Sequence, residues 1–392
     1  MSKSSAASQS SDASRAFRTR AIHVGNEADP QTGAVVPPVH LASTFRQPGS
    51  GQWGQYDYSR SGNPTRSGLQ QTLASLEGGC GALAFSTGMA AIHCVTMLLE
   101  SGQHVVAGCD IYGGAYRLLH NICNRSGIEV TLVDMTDAQN VADAIRPETK
   151  LIWGETIGNP LMTVPDLADL VAVAKDAGVL FGVDNTFGTP ALIRPLEHGV
   201  DIVMHSATKF LGGHSDCLGG TLAVSDQDLL DRLYYVQNAT GAVLDPFSCF
   251  LISRGLKTLE LRVREQSRTA GRLAEWLEQH PAVRRVLYPG LASHPQHERA
   301  RRQFTDFGTM LCFELEGDFQ QTARVCEATQ LFQLAVSLGA VESLIEQPAS
   351  MSHASYAPAD RQRFGIGDGL IRLSVGLEAY EDLQADLEQA LG

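Results

Sequence analysis

From Gly81 onward the chain sets short apolar runs against segments whose apolar residues recur at helical spacing. The runs are GALAFS, HVVAG, EVTLVDM, LIWGET, VLFGVDN, DIVMHS and TLAVS, and PDLADLVAVAKDAG is typical of what lies between them. Continuous apolar runs of this length suit strands buried on both faces, and strands joined by helices run parallel, because the helix carries the chain back to the starting edge. Glycine at the end of such a segment is a helix stop. The fold class expected is therefore α/β with a mostly parallel sheet. Beyond about residue 250 the pattern changes to long charged helices such as LKTLELRVREQSRTAGRLAEWLEQH, with strand candidates at VRRVLYP, TMLCFELEG and LIRLSVGLE. That change predicts a smaller C-terminal α+β domain.

The first fifty-odd residues are rich in Pro, Gly, Ser and Gln and lack either period. The expected organisation is an N-terminal tail and extended arm over 1–55, an α/β domain over 56–250 and the α+β domain over 251–392. The opening MSKSSAASQSSDASRAF has no apolar h-region, so it reads as a disordered tail and not as a secretory signal. No internal repeat emerges.

Composition removes several function classes. A chain of 392 residues, 43% hydrophobic, can bury a large core. A net charge of -13 disfavours nucleic acid and anionic membrane surfaces as partners. The longest apolar stretch, ALAFSTGMAAIHCVTMLL, is broken by polar residues and Gly88, so no membrane span is expected. Eight cysteines without a CxxC pair read as reduced core thiols, which with the missing signal predicts a cytoplasmic protein. The twelve histidines include no HExxH, and no metal site is expected.

In open α/β sheets, ligands sit beyond the carboxyl ends of the strands. Ser86, Thr87 and Gly88 follow GALAF; Asp110 and Tyr112 follow HVVAG; Glu155 and Asn159 follow LIWG; Asp184 follows VLFGV; Ser206, Thr208 and Lys209 follow DIVMH. STGMAA can be an ordinary capped helix start or a set of free amides offered to a phosphate. Asp184 behind an apolar run needs a cationic partner, and a protonated ring nitrogen would serve. Tyr112 is either a core aromatic or a stacking face. Lys209 is one of only five lysines among thirty basic residues, so arginine does the work of surface charge here. A solvated loop lysine is the plain reading of HSATKFLGGHSD alone. An amine that can lose its proton and attack a carbonyl is the chemical one. Together the lysine amine, the buried aspartate, the aromatic face and the phosphate cradle match pyridoxal 5'-phosphate (PLP), held as a lysine Schiff base with an acid on its ring nitrogen.

The ordered blocks YSRSGNPTR, STGMAA, DIYGGAYR, VDNTFGTP, HSATKFLGGHSD, RGLKTLELR, YPGLASHPQH and RLSVGLE resemble the PLP-dependent trans-sulfuration enzymes of cysteine and methionine metabolism, from about Thr19 to the C-terminus. The resemblance implies the fold-type I PLP transferase fold and a homotetramer of two tight dimers. It implies that Lys209 carries the cofactor, Asp184 pairs with the ring nitrogen and Tyr112 stacks on the ring. Gly88, Met89, Thr186, Ser206 and Thr208 are implied as further cofactor contacts, with Tyr58 and Arg60 reaching in from the neighbouring subunit. Arg372, with Asn159 and Ser337, would take the substrate α-carboxylate, for which a planar bidentate donor is suited. Catalysis would rest on Lys209, Tyr112 and Asp184.

Within that family YDYSRSGNPTR and YGGAYR resemble cystathionine γ-lyases and γ-synthases, and Gly114 stands where many methionine γ-lyases have cysteine. Val336 replaces a glutamate usual in the cystathionine enzymes, Ala340 replaces a common glycine, and PASMSHASY resembles methionine γ-lyases. Asp57 and Arg117 are the candidates for the distal end of cystathionine. The expected activity is a γ-lyase on sulfur amino acids, most of all cystathionine, with cystathionine γ-synthase or methionine γ-lyase activity as alternatives. A metal hydrolase built on His205, His214 and Asp216 would give Lys209 and Asp184 no task. A non-catalytic relative would be expected to have lost Lys209, Tyr112 or Arg372.

Overall fold

The computed structural model describes residues 14–354 and 356–392, and the tail before Ser14 lies outside them. Its strands are β1 (Gly81–Phe85), β2 (His104–Gly108), β3 (Glu129–Val133), β4 (Thr149–Glu155), β5 (Leu180–Asp184), β6 (Ile202–His205), β7 (Gly220–Val224), β8 (Val283–Leu287), β9 (Met310–Leu315), β10 (Gln333–Leu334), β11 (Leu344–Glu346) and β12 (Leu370–Ser374). The chain divides into two compact units. One comprises the residues up to Leu98 with Asp201–Leu259, the other Leu99–Val200 with Glu260–Gly392.

In the first unit β7 lies between β1 and β6 and runs antiparallel to both. The helix Pro64–Glu77 packs on β1. Its start is set by Asn63, whose side chain accepts from the amides of Thr65 and Arg66, and its end by Gly78 at φ 76°. Leu69, Leu73 and Leu76, one turn apart along a single face, are buried there. The segment ahead of it is an arm with little regular structure that exposes Val35, Leu41, Trp53 and Tyr58.

In the second unit β3, β2, β4 and β5 lie side by side, all parallel. This is the arrangement that strand and helix alternation predicts. The PDLADLVAVAKDAG segment forms the helix Leu167–Ala177, capped by Asp166 at its start and by Gly178 at φ 64° at its end. A smaller sheet follows in the order β10, β11, β12, β9, β8, antiparallel except for the β10–β11 pair. Ala270, Leu273, Ala274 and Leu277 of the long helix Leu259–Glu278 share a core with Phe313 of β9 and Ile371 of β12.

Among the described residues no helix is long and apolar enough to cross a membrane, and no cluster of side chains could hold a metal ion. All eight cysteines are free thiols. His205 is buried and turned to Glu77, the last residue of the helix Pro64–Glu77, and so takes no part in a ligand set with His214.

Candidate active site

The first unit presents a helix start close to the Lys209 loop. Thr87 caps the helix Gly88–Thr96, its Oγ1 accepting from the Ala90 amide at 3.0 Å. The amides of Gly88 and Met89, in the first turn, have no acceptor one turn back in the helix. They carry the positive end of its dipole. Glycine at 88 permits a close approach, since a Cβ there would fall 2.9 Å from Met204 Cε and 3.1 Å from Ser206 Cβ. The helix start is thereby brought against Ser206. Gly220, the first residue of β7, meets the same turn from the other side, where a Cβ would lie 2.2 Å from the Thr87 carbonyl oxygen. The loop after β6 then carries Lys209, whose amide donates to Ser206 O at 3.1 Å. The Gly213 amide donates to Lys209 O at 2.7 Å, which curls the loop around the lysine. Thr208 Oγ1 is engaged with Gly219, donating to its carbonyl at 3.2 Å and accepting from its amide at 3.0 Å.

On the arm of this unit Asp57 Oδ1 accepts from the Tyr58 amide at 2.6 Å. The Arg60 guanidinium lies 5.4 Å from the Tyr58 ring centroid and donates to Asn238. Tyr58 is 46% exposed, and Arg60 is exposed as well.

The second unit supplies two further groups. At the ends of β4 and β5, Glu155 and Asp184 are register partners, both buried. Asp184 Oδ1 accepts from the Thr186 amide at 2.8 Å, and Glu155 Oε1 accepts from the Tyr112 amide at 2.6 Å. Burial, and then the charge of Asp184, raise the Glu155 carboxyl well above its usual range. Tyr112, 38% exposed, precedes the helix Gly113–Arg117 and leaves its ring uncovered on one side. A cavity of about 570 Å³ lies beyond β2, β3 and β4, with Asp110, Asp134, Asp143 and Glu155 among its lining residues.

The second group is a guanidinium receptor. Arg372, on β12, is 2% exposed and forms a 2.9 Å ion pair with Glu346, its register partner on β11. Its Nη1 donates to Asn159 Oδ1 at 2.8 Å and its Nη2 to the Ser337 carbonyl at 3.2 Å. Ser337 presents that carbonyl from φ 115°, a backbone region that side chains other than glycine rarely adopt. Arg372 Nε is buried without a hydrogen-bond partner among the described residues, an orphaned donor of the kind an incoming carboxylate relieves. Arg117 and Val336 are exposed, Val336 by 60% of its surface. The candidate residues brought together are Gly88 and Lys209 with Ser206, and Asp57 and Arg60 with Tyr58, in one unit, and Tyr112 with Glu155, Asp184 with Thr186, and Asn159 and Ser337 with Arg372 in the other.

Glu346 and the Ser352–His353 pair behind it escaped the sequence reading. The one available signal was a glutamate inside the apolar run SLIEQP, where a carboxylate needs a buried cation.

Residues 18–392 match the model of the Cys/Met metabolism PLP-dependent enzymes. The chain belongs to that family. Its cofactor is PLP, and each unit carries groups that suit it: Lys209 in the loop after Ser206, with a helix start brought close by Gly88 and Gly220, in the first, and a buried carboxylate, Asp184, in the second. Family relatives include the cystathionine beta-lyase MetC of Bacillus subtilis, 52% identical with 96% of each chain covered. The cystathionine gamma-lyase of the same organism is 49% identical, covering 95% of this chain and 98% of the other. Among solved structures, cystathionine gamma-lyase from Lactobacillus plantarum complexed with L-serine superposes with a TM-score of 0.93 at 43% identity, over 96% of this chain and 98% of that one. The fold is accordingly that of fold-type I PLP enzymes, and the protein is a PLP-dependent trans-sulfuration enzyme.

Proposed function

We propose that this enzyme is a cystathionine γ-lyase, converting cystathionine to cysteine, 2-oxobutanoate and ammonia, with side activity on methionine or homocysteine. The observation that carries an amino-acid substrate is Arg372, buried and preset by Asn159, Glu346 and the Ser337 carbonyl as a receptor for an α-carboxylate. PLP, when bound, supplies the electron sink that makes the Cα proton removable. In this reading Lys209 holds the cofactor and then moves the proton between Cα and Cβ, while Asp184 keeps the ring nitrogen protonated. The Tyr112 hydroxyl exchanges a proton as sulfur departs. Gly88, Met89, Thr186, Ser206 and Thr208 complete the cofactor contacts.

Val336 supports side activity on apolar thioethers, because its exposed side chain is free to meet a substrate and offers no charge to a distal ammonium. Asp57 and Arg117 would receive the distal head group of cystathionine. The exposed arm bearing Tyr58 and Arg60 supports their service to a neighbour's phosphate in a homotetramer. A cytoplasmic location and the division at residues 55 and 250 belong to the same proposal. A second reading, β-elimination of cystathionine to homocysteine, pyruvate and ammonia, draws on the beta-lyase name of a relative 52% identical.

A panel of cystathionine, methionine, homocysteine and O-acylated homoserines separates these readings. The expected products from cystathionine are 2-oxobutanoate and cysteine. Pyruvate and homocysteine would replace the γ-lyase reading by the β-lyase one, and a thioether product from O-acylated homoserine with cysteine would replace it by γ-synthase.

A further inference from the structure

Behind Arg372 lies a closed chain of contacts that the carboxylate receptor alone does not explain. Glu346 Oε1, paired with Arg372, accepts a hydrogen bond from Ser352 Oγ. Ser352 Oγ lies 2.9 Å from His353 Nδ1, and His353 Nε2 lies 2.9 Å from the carbonyl of Asn159, the residue that also holds Arg372 Nη1. His353 is fully buried. In the same row Cys312, the register partner of Arg372 on β9, donates to the Pro160 carbonyl at 2.9 Å. The Asn159–Pro160 segment is therefore pinned at three points around the guanidinium.

Proton counting constrains this ring. The Asn159 carbonyl only accepts, so Nε2 must carry a hydrogen. The single Ser352 hydrogen is directed to Glu346, so Oγ can only accept from Nδ1. Both imidazole contacts are hydrogen bonds only when both nitrogens are protonated. The Ile111 carbonyl, a further hydrogen-bond partner of the ring, is again an acceptor. Against this, burial and then the charge of Arg372 push His353 down to about 3. The other titratable groups in this part of the unit are Glu346, Cys312, Tyr356, Asp110 and Glu155, and the nearest carboxylate, Glu346, is already committed to Arg372. The hydrogen-bond geometry asks for an imidazolium, while burial first and the Arg372 charge second oppose it. An anion docking on Arg372 removes part of that opposition.

We propose that His353 is a positioning residue of the carboxylate receptor, and that it takes up a proton when a substrate carboxylate binds Arg372, closing the Ser352 and Asn159 hydrogen bonds that fix the receptor. This rests on the reading of Arg372 as the carboxylate site. The test uses holoenzyme and 3-(methylthio)propanoate, a thioether carboxylate without an amine, which cannot displace Lys209. Titration calorimetry at pH 6 in two buffers of different ionisation enthalpy gives the protons taken up per site.

The expected result is a proton uptake in wild type that exceeds that of His353→Gln. The glutamine keeps a donor for Asn159 but cannot titrate. The probe's Kd should tighten more steeply with falling pH in wild type than in the variant. Ser352→Ala leaves the imidazole in place and removes the Nδ1 acceptor, so it should lower the uptake as well, and it decides the matter if His353→Gln does not fold. Equal uptake in wild type and variants, with weaker binding at every pH, would reduce His353 to packing and overturn the proposal. Unchanged probe binding in Arg372→Ala would instead remove the carboxylate reading, and the proposal with it.

Discussion

Replacing Gly220 by alanine tests the cradle without touching a group that contacts substrate. The new Cβ would stand 2.2 Å from Thr87 O, 2.5 Å from Thr87 C and 2.7 Å from Gly88 Cα, all of them backbone atoms that no rotamer change can move aside. The helix start must therefore retreat from β7 by the better part of an ångström. Overpacking of this kind costs about 1 to 3 kcal/mol. If that cost falls on the arrangement that binds phosphate, the Kd for PLP rises by roughly tenfold to a hundredfold, since about 1.4 kcal/mol is one decade. Gly369→Ala is the control, because its Cβ would lie 2.7 Å from Leu315 O in the smaller sheet, with no cradle nearby. Apoenzyme of each variant is titrated with PLP by absorbance, and its stability is followed by urea unfolding with and without PLP. Both variants should be destabilised as apoenzyme, and only Gly220→Ala should bind PLP more weakly. A destabilised Gly220→Ala protein with wild-type PLP affinity would refute the assignment of the Thr87–Gly88 turn to the phosphate.

Three further outcomes are expected. Borohydride reduction of the yellow holoenzyme should fix the cofactor on Lys209, and peptide mapping to Lys150, Lys175 or Lys257 would overturn that site. Val336→Glu should shift kcat/KM toward cystathionine over methionine by about 1 to 3 kcal/mol, and Arg117→Ala should lower cystathionine turnover more than methionine turnover. Unchanged ratios in both variants would show that neither position reads the distal group. Burial pushes the Glu314 carboxyl up, but hydrogen bonds from Arg285 and Arg284 prevail and hold it below its usual range. A depressed folded pKa stabilises above the unfolded value and loses that contribution as pH falls through the folded one. Glu314→Gln should therefore cost about 1 kcal/mol at pH 7, modest because both arginines are about half exposed, and the gap from wild type should close below the ordinary carboxylate range. A gap that stays constant down to pH 3 in urea unfolding would rule the pairing out as its source.

The strands legible in the sequence were those long enough to declare a period. All seven apolar runs from GALAFS to TLAVS are strands, as are the three C-terminal candidates; burial on both faces keeps most of them free of polar residues, while β3 and β8 are partly exposed and carry Glu129, Arg284 and Arg285. β10 and β11, of two and three residues, lie below that threshold, and Glu346 was lost with them. The cap and the glycine stop of the helix Leu167–Ala177 could be read because they act within a few residues of the helix they bound. The antiparallel course of β7 could not, since it depends on how the Lys209 loop turns back. At the site the lysine, the aspartate and the hydroxyls announced themselves by residue type. The upward shift of the Glu155 carboxyl did not, because it arises from burial and then from a strand register that sets Glu155 beside Asp184. Nor did the service of Asn159 to both Arg372 and His353, which joins residues more than 190 positions apart.

The contact between Gly220 and the Thr87 carbonyl also acts as a gauge on strand alignment. Gly220 is paired with Phe85, the last residue of β1, two residues before the turn it touches. Sliding β7 by one position in one direction would bring Thr221 to that place and drive a side chain into the carbonyl. Sliding it the other way would bring in Gly219, which fits, but would turn every buried side chain of β7 to the opposite face of the sheet. Only one alignment satisfies both conditions. If the Thr87–Gly88 turn holds the phosphate as proposed, cofactor affinity reports whether β1 and β7 are paired in this register.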